Sequence, residues 1–134
     1  MIFVDTNILL DIFTNDLVWA RWSLGALDAA GLQGPLAINP VVYAELSVRF
    51  ARIEDLDAVV AQSGLVIQTI PRSALFLAGK AFQAYRAAGG ARTGVLPDFF
   101  IGAHATVTGV SLLTRDTRRY RTYFPSLVLI APES

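Results

Sequence analysis

The sequence predicts an α/β fold in which a central, mostly parallel sheet of four to five short strands is flanked by helices. Two observations support this prediction. Short apolar runs alternate along the 134 residues with longer segments of helical periodicity, a pattern typical of strands joined by crossover helices. The chain also contains no repeat, linker or low-complexity segment, and its length suits one domain. We therefore expect a single domain over residues 1–134.

The expected strands are short apolar runs of the kind that form buried strands. In chain order they cover residues 2–4, 36–38, 65–67, 112–113 and 127–130. The stretch 89–94, which contains three glycines, is the clearest flexible loop in the chain.

The expected helices are recognised by apolar residues at helical spacing and by the residues at their ends. Thr6 or Asn7 can cap the first helix, and Pro40 suits the first position of the third. Gly31 and Gly34 are expected to end the second. In chain order the helices are expected over residues 7–13, 17–30, 40–52, 54–62, 73–88, 97–109 and 117–124.

Four carboxylates lie where this pattern places strand ends or helix faces: Asp5, Glu45, Asp98 and Asp116. An acid just past the carboxyl end of a buried strand lies where open α/β sheets bind their ligands. Two unit charges about 4 Å apart repel by roughly 4 kcal/mol at an effective dielectric constant of about 20. Four converging carboxylates would therefore need a cation to stay ionised. The set predicts a divalent-metal site.

Each acid taken alone has a structural explanation. Asp5 could end a strand, and Glu45 could pair with Arg49 on the same helix face. Asp98 in a first helical turn offsets the helix dipole, and Asp116 suits a turn or a cap. Only the complete set indicates chemistry.

The overall charge of the chain gives little indication of a polyanion binder. Lys plus Arg and Asp plus Glu both number 11, so the formal charge is zero. Without the four acids, 11 basic residues face 7 acidic ones, which leaves +4 on the rest of the molecule. The absence of cysteine excludes disulfides and thiolate metal sites.

Apolar content is high for a small domain, at 54% with a mean hydropathy of +0.50. Either an Ala- and Leu-rich core or apolar surface covered by a partner explains this. Candidate surface residues on the second and fifth helices are Trp19, Trp22, Leu27, Leu75, Phe76 and Phe82.

Four segments that carry the acids resemble the acidic motifs of PIN domains, in the family's order and with its usual separations. They are VDTNILL at 4–10, VYAEL at 42–46, PDFFIGAHA at 97–105 and LTRD at 113–116. The closest resemblance is to the VapC-like toxins of bacterial and archaeal toxin–antitoxin modules. It covers the chain from residue 2 to the last expected strand and implies a PIN-like (Rossmann-like) sheet.

The resemblance implies an endoribonuclease that depends on Mg²⁺ or Mn²⁺, with Asp5, Glu45, Asp98 and Asp116 as its catalytic metal ligands. Its implied partners are RNA, a VapB-like antitoxin that offers a basic side chain to the acids, and a second copy of the chain. The residue types agree with this chemistry, because Mg²⁺ prefers oxygen ligands. Such an ion lowers the pKa of water and acts as a Lewis acid on a phosphodiester.

Polar residues beside the acids have two interpretations each. Asn7 and Thr114 could orient Asp5 and Asp116, or they could cap a helix and bond a strand end. The basic run after the fourth strand could contact RNA phosphates, for which Arg forks are well suited, or form a solvated helix face. Its members are Arg115, Arg118, Arg119 and Arg121.

Two other polar residues are assigned no function. His104, the only histidine, is expected to pack within a helix. Asp11 is expected on the wetter face of the first helix.

Three rival functions stay open at this point. A haloacid-dehalogenase-type phosphatase also begins with an acid after its first strand, but it has a second Asp where this chain has Asn7. A non-catalytic module of a DNA-binding regulatory complex and a PIN nuclease for RNA maturation are the other two.

The N-terminus lacks the basic region of a signal peptide, and no apolar run reaches about 18 residues. We therefore expect a cytoplasmic protein without a membrane span.

Overall fold

A five-stranded parallel sheet, ordered β3-β2-β1-β4-β5, forms the centre of the protein. The computed structural model describes residues 1–92 and 94–132. The strands are β1 Ile2–Val4, β2 Leu36–Ile38, β3 Leu65–Ile67, β4 Ser111–Leu113 and β5 Leu129–Ile130. The helices are α1 Thr6–Phe13, α2 Ala20–Gln33, α3 Pro40–Ser47, α4 Ile53–Gln62, α5 Arg72–Ala87, α6 Leu96–Thr108 and α7 Arg118–Tyr123. The predicted fold class is confirmed.

The central strand β1 lies where the strand order reverses. The chain runs from β1 outward to β2 and β3, and then returns to pair β4 with the other side of β1. Ile2 is in register with both Leu36 and Ser111. In an open α/β sheet, ligands bind outside the carboxyl ends of the strands at such a switch point. This edge, between β1 and β4, therefore is the expected position of a site.

Three helix ends differ from the sequence prediction by more than one residue, and local hydrogen bonds explain two of them. The α2 helix begins at Ala20 rather than at residue 17, because Asp16 Oδ1 accepts the amides of Val18 and Trp19 at 2.9 Å each. Those bonds hold a turn in place of a helix. The same helix continues through Gly31 and ends before Gly34.

The third helix is shorter than predicted, ending at Ser47 rather than at residue 52. The amides of Arg49 and Phe50 bond back only three residues, to Leu46 O at 3.0 Å and Ser47 O at 3.1 Å. Such tightened bonds are typical of a helix terminus. The last strand is also shorter, since Leu127 N closes a turn onto Phe124 O at 3.0 Å.

The helix α7 lies close against α6, and a glycine permits the approach. A Cβ on Gly102 would lie 2.6 Å from the ring of Phe124 and 3.0 Å from that of Tyr120. Both rings are buried. The small residue therefore lets α7 bring Tyr120 to the carboxyl edge of the sheet.

His104 packs in the core, as predicted. It is buried, and its ring meets that of Phe3 edge to face at a centroid distance of 4.6 Å. Asn39 Nδ2 lies 3.4 Å from His104 Nδ1.

The predicted apolar surface is only partly right. Leu27 is buried, and Phe82 packs against Phe99 at 5.6 Å between ring centroids. Trp19 and Trp22 are half-buried and contact each other edge to face. Exposed apolar side chains before or within α2 and in α5 are Leu17, Val18, Leu24, Leu32, Leu75 and Phe76. Over residues 1–92 and 94–132, no helix is long and apolar enough to cross a membrane.

Candidate active site

Asp5 is a buried carboxylate at the carboxyl end of β1, with 3% of its surface exposed. Its Oδ1 accepts the amide of Thr6 at 2.8 Å, which makes Asp5, rather than Thr6 or Asn7, the N-cap of α1. Its Oδ2 accepts the hydroxyls of Thr114 and Tyr120, both at 2.8 Å. Burial raises the pKa of Asp5, and these hydrogen bonds oppose that rise.

Asn7 and Thr114 join the ends of the two central strands. Asn7 Nδ2 donates to Thr114 Oγ1 at 3.2 Å and lies 3.4 Å from Asp5 Oδ2. The same Thr114 hydroxyl accepts the backbone amide of Asp116 at 3.1 Å. The two side chains thus connect Asp5 with the backbone of Asp116.

Glu45 reaches the same edge from α3. Thr6 Oγ1 donates to Glu45 Oε1 at 2.6 Å, so a residue next to Asp5 holds this second acid. The charge of Glu45 contributes to the raised pKa of Asp5. Within the described part of the chain no ion pair joins Glu45 to Arg49, which leaves the surface-pair explanation of Glu45 without support.

Asp98 lies in the first turn of α6 and is largely buried, with 28% of its side chain exposed. Arg119 Nη1 donates to its Oδ2. Burial, followed by the charge of Asp5, raises the pKa of Asp98 to about 7, and the charge of Asp116 adds to this. The ion pair with Arg119 lowers the pKa but does not outweigh burial. Asp98 therefore lies within electrostatic reach of two of the other acids.

The order and position of these acids agree with a match to a known family. Residues 2–125 match the model of the PIN domain. The chain belongs to the PIN domain family. PIN domains are generally nucleases, and membership removes the phosphatase alternative. No curated protein matches the chain.

Solved structures similar to this PIN domain include three toxin–antitoxin complexes. VapBC2 from Rickettsia felis, bound to a DNA fragment from its promoter, superposes with a TM-score of 0.74 at 20% identity, over 99% of this chain and 100% of that one. A toxin–antitoxin complex from Klebsiella pneumoniae gives 0.69 at 26% identity, over 96% of both chains. VapBC-1 from nontypeable Haemophilus influenzae gives 0.73 at 17%, over 98% of both.

The acids of this PIN domain fit a hard divalent cation by chemistry and charge. All four offer carboxylate oxygens, the ligands that Mg²⁺ and Mn²⁺ prefer. Burial, and after it the charges of neighbouring acids, raises the pKa values of Asp5 and Asp98, and a cation would lower them again. Nevertheless, no group of three or more acids or histidines in residues 1–92 and 94–132 is arranged to hold a metal ion. Instead, Asp98 binds Arg119, and Glu45 accepts a hydrogen bond from Thr6.

Tyr120 is a site residue that the sequence analysis missed. It is 1% exposed, and its hydroxyl donates to Asp5. Burial, followed by the charges of Asp5 and Asp98, raises the pKa of Tyr120 well above its ordinary value, so the phenol keeps its proton. In the sequence this tyrosine looks like any aromatic core residue of α7.

Asp11 is not on a wet helix face, and that prediction is wrong. It is 3% exposed and accepts Ser23 Oγ at 2.7 Å. It also binds Arg115 bidentately, with Nε at 2.6 Å and Nη2 at 2.9 Å. The guanidinium of Arg115 lies 5.0 Å from the centroid of the Trp19 ring. Arg115 therefore fixes the loop before Asp116 to α1 and α2.

The arginines after β4 have different environments. Arg115 is bound by Asp11 and Arg119 by Asp98. Arg118 and Arg121 are exposed. The interpretation as a solvated helix face therefore fits Arg118 and Arg121 but not Arg115 and Arg119.

We expect Asp98→Asn to stabilise the metal-free protein at pH 8. The folded-state pKa of Asp98 is raised from 3.8 to about 7, so its contribution to stability is fully present below pH 3.8 and is lost as the pH rises through about 7. An amide does not ionise, so the variant should gain on the order of 2–4 kcal/mol in free energy of unfolding at pH 8. Near pH 4 the gain should vanish.

Urea unfolding in a chelator, from pH 4 to pH 8, measures this difference. Asp28→Asn, at an exposed position of α2, is the matched control. An equal difference between Asp98→Asn and the wild type at both ends of the pH range would contradict the prediction.

Proposed function

We propose that this PIN domain is a divalent-metal-dependent endoribonuclease and the toxin of a VapBC-like toxin–antitoxin pair that acts in the cytoplasm. One observation supports the proposal: at the switch point of the sheet, burial and then the charges of neighbouring acids from other elements raise the pKa values of Asp5 and Asp98. Perturbed carboxylates in such a position are typical of functional sites.

Asp5, Glu45, Asp98 and Asp116 are the residues that would hold Mg²⁺ or Mn²⁺. The bound cation supplies a Lewis acid for the phosphate and lowers the pKa of water. The chain itself fixes the orientation of one ligand, because Thr114 and Tyr120 hold Asp5. Asn7 donates to Thr114, and Thr114 accepts the amide of Asp116, so the two side chains link the ends of β1 and β4.

RNA contact is proposed for Arg115, Arg118 and Arg119, the three arginines nearest to Asp116 in the chain. Arg118 is exposed beside Asp116 and has the freedom to bind a phosphate. Arg119 would be released for phosphate if a cation replaced it at Asp98. Arg115 contributes mainly by positioning the loop, since Asp11 already binds its guanidinium.

A second candidate role is participation in a DNA-bound regulatory complex. The relative from Rickettsia felis was solved with DNA from its own promoter, and a VapBC from Salmonella typhimurium was also solved bound to DNA. Such a role is compatible with ribonuclease activity of the same chain. A role in RNA maturation is distinguished from that of a toxin by whether expression of the chain alone arrests growth.

Asp98→Asn should abolish metal-dependent RNA cleavage. Removing this ligand charge should lower the cleavage rate by orders of magnitude and weaken Mn²⁺ binding measured by calorimetry. Asp28→Asn is again the control and should retain both properties. Unchanged Mg²⁺-dependent cleavage by Asp98→Asn would exclude Asp98 as a ligand, and full wild-type cleavage in a chelator would exclude the metal.

Arg118→Gln should weaken RNA binding in a salt-dependent way. Each phosphate contact to a single strand contributes roughly −0.7 to the slope of log affinity against log salt, so the slope should become shallower by about that amount. Arg121→Gln, at an exposed position of the same helix, is the matched control. Binding is measured in a chelator to prevent cleavage. Equal slopes for the two variants would remove Arg118 from the RNA interface.

We further propose that the chain forms a homodimer and binds an antitoxin through its exposed apolar side chains. A stable dimer buries upwards of about 1,000 Å², and the residues around α2 and in α5 provide two candidate surfaces. Light scattering at micromolar concentration should show a dimer. Leu24→Glu tests the first surface and Phe76→Glu the second, each serving as control for the other. A wild-type monomer would contradict the dimer.

A further inference from the structure

A cleft of about 640 Å³ opens beside Asp116, between the glycine-rich segment 89–92 after α5 and the helix α7. This volume lies within the range of roughly 300–1,000 Å³ found for small-molecule sites. Its wall is formed by two tyrosines and three arginines: Tyr85, Tyr123, Arg92, Arg118 and Arg119. Gly89, Gly90 and Thr122 also line it.

The aromatic side of the cleft is fixed in position. The rings of Tyr85 and Tyr123 contact each other nearly at right angles, with centroids 6.0 Å apart, and both pack on the buried Phe99. The hydroxyl of Tyr85 accepts the amide of Arg92 at 3.1 Å, which ties the glycine-rich segment to the ring. The packing and this hydrogen bond hold the Tyr85 ring in the wall of the cleft.

Gly90 lies directly on the ring of Tyr85. A Cβ at this position would lie 2.5 Å from two ring atoms, a contact that side chains do not make. Any other residue at position 90 would therefore force the Tyr85 ring and the backbone at position 90 apart. In contrast, a Cβ on Gly94, four positions further along the chain, meets nothing within 4 Å.

The charged side of the cleft suits a phosphate. Arg92 and Arg118 are exposed, and Arg119 is held by Asp98 at the inner end. Arginine forks bind phosphate bidentately. Aromatic rings next to arginines are the surface on which single-stranded nucleic acids stack their bases.

We propose that this cleft binds one nucleotide of single-stranded RNA next to the phosphate that is cleaved. The base contacts Tyr85 and Tyr123, and its phosphate binds Arg92 and Arg118. This subsite rests on the proposed ribonuclease function and gives the enzyme a means to hold an unpaired base beside Asp116.

The test is binding of a short oligoribonucleotide that contains 2-aminopurine, measured by fluorescence in a chelator with the full-length chain. Stacking on tyrosine should quench the fluorescence of the wild-type complex. Gly90→Ala, which forces the Tyr85 ring and residue 90 apart, and Tyr123→Leu, which removes a ring, should each raise the Kd by about 5- to 100-fold and reduce the quenching. Gly94→Ala is the matched control and should behave as the wild type. Circular dichroism melting verifies that each variant is folded.

Each result bears on the proposal. Wild-type Kd and quenching in both folded variants would overturn the subsite, and cleavage of RNA by the wild type would then leave the ribonuclease function standing. If the wild type neither binds nor cleaves RNA, both proposals fall. If one variant does not fold, the other decides.

Discussion

The site depends on one buried carboxylate. A charge removed from water costs several kcal/mol unless it is hydrogen-bonded, and Asp5 obtains its bonds from the start of α1, the end of β4 and the helix α7. Each bond to a charged group is worth roughly 1.5–3 kcal/mol. These bonds therefore both offset the burial of Asp5 and join elements on the two sides of the switch point. Removing the hydroxyl of Thr114 or of Tyr120 would take a hydrogen bond from Asp5 and leave its position less well fixed.

Two other acids, Asp98 and Glu45, are held by side chains of the protein itself. Arg119 neutralises part of the charge at Asp98, and the Thr6 hydroxyl occupies Glu45. The pKa of Asp98 nevertheless rises to about 7, because one arginine does not offset burial together with the charges of Asp5 and Asp116. Carboxylates with raised pKa values are typical of functional sites, because selection for stability alone would not keep such a cluster.

The sequence predicted most of the fold and the candidate acids because both follow local rules. Apolar triplets predicted the bounds of β1, β2 and β3. Asp5 and Asp116 were recognised as candidates because each lies just past an expected strand. Contacts between distant residues have no such signature. Tyr120 meets Asp5 across 115 positions, and Arg115 meets Asp11 across 104. The tyrosine therefore resembled a core aromatic, and Asp11 an ordinary polar residue on a helix face. The late start of α2 escaped prediction because Asp16 bonds two amides that helical periodicity assigns to the helix.

The placement of charge would allow a chain with a formal charge of zero to bind RNA, as we propose. The acids lie at the end of the sheet, whereas Arg92, Arg118 and Arg119 line the adjacent cleft. Without a cation, Asp116 at the edge of that cleft repels phosphate and opposes the arginines. With a cation bound, the same acids no longer repel phosphate, and Arg119 is free to leave Asp98. Metal and RNA should therefore each strengthen the binding of the other, because a single change in local charge favours both.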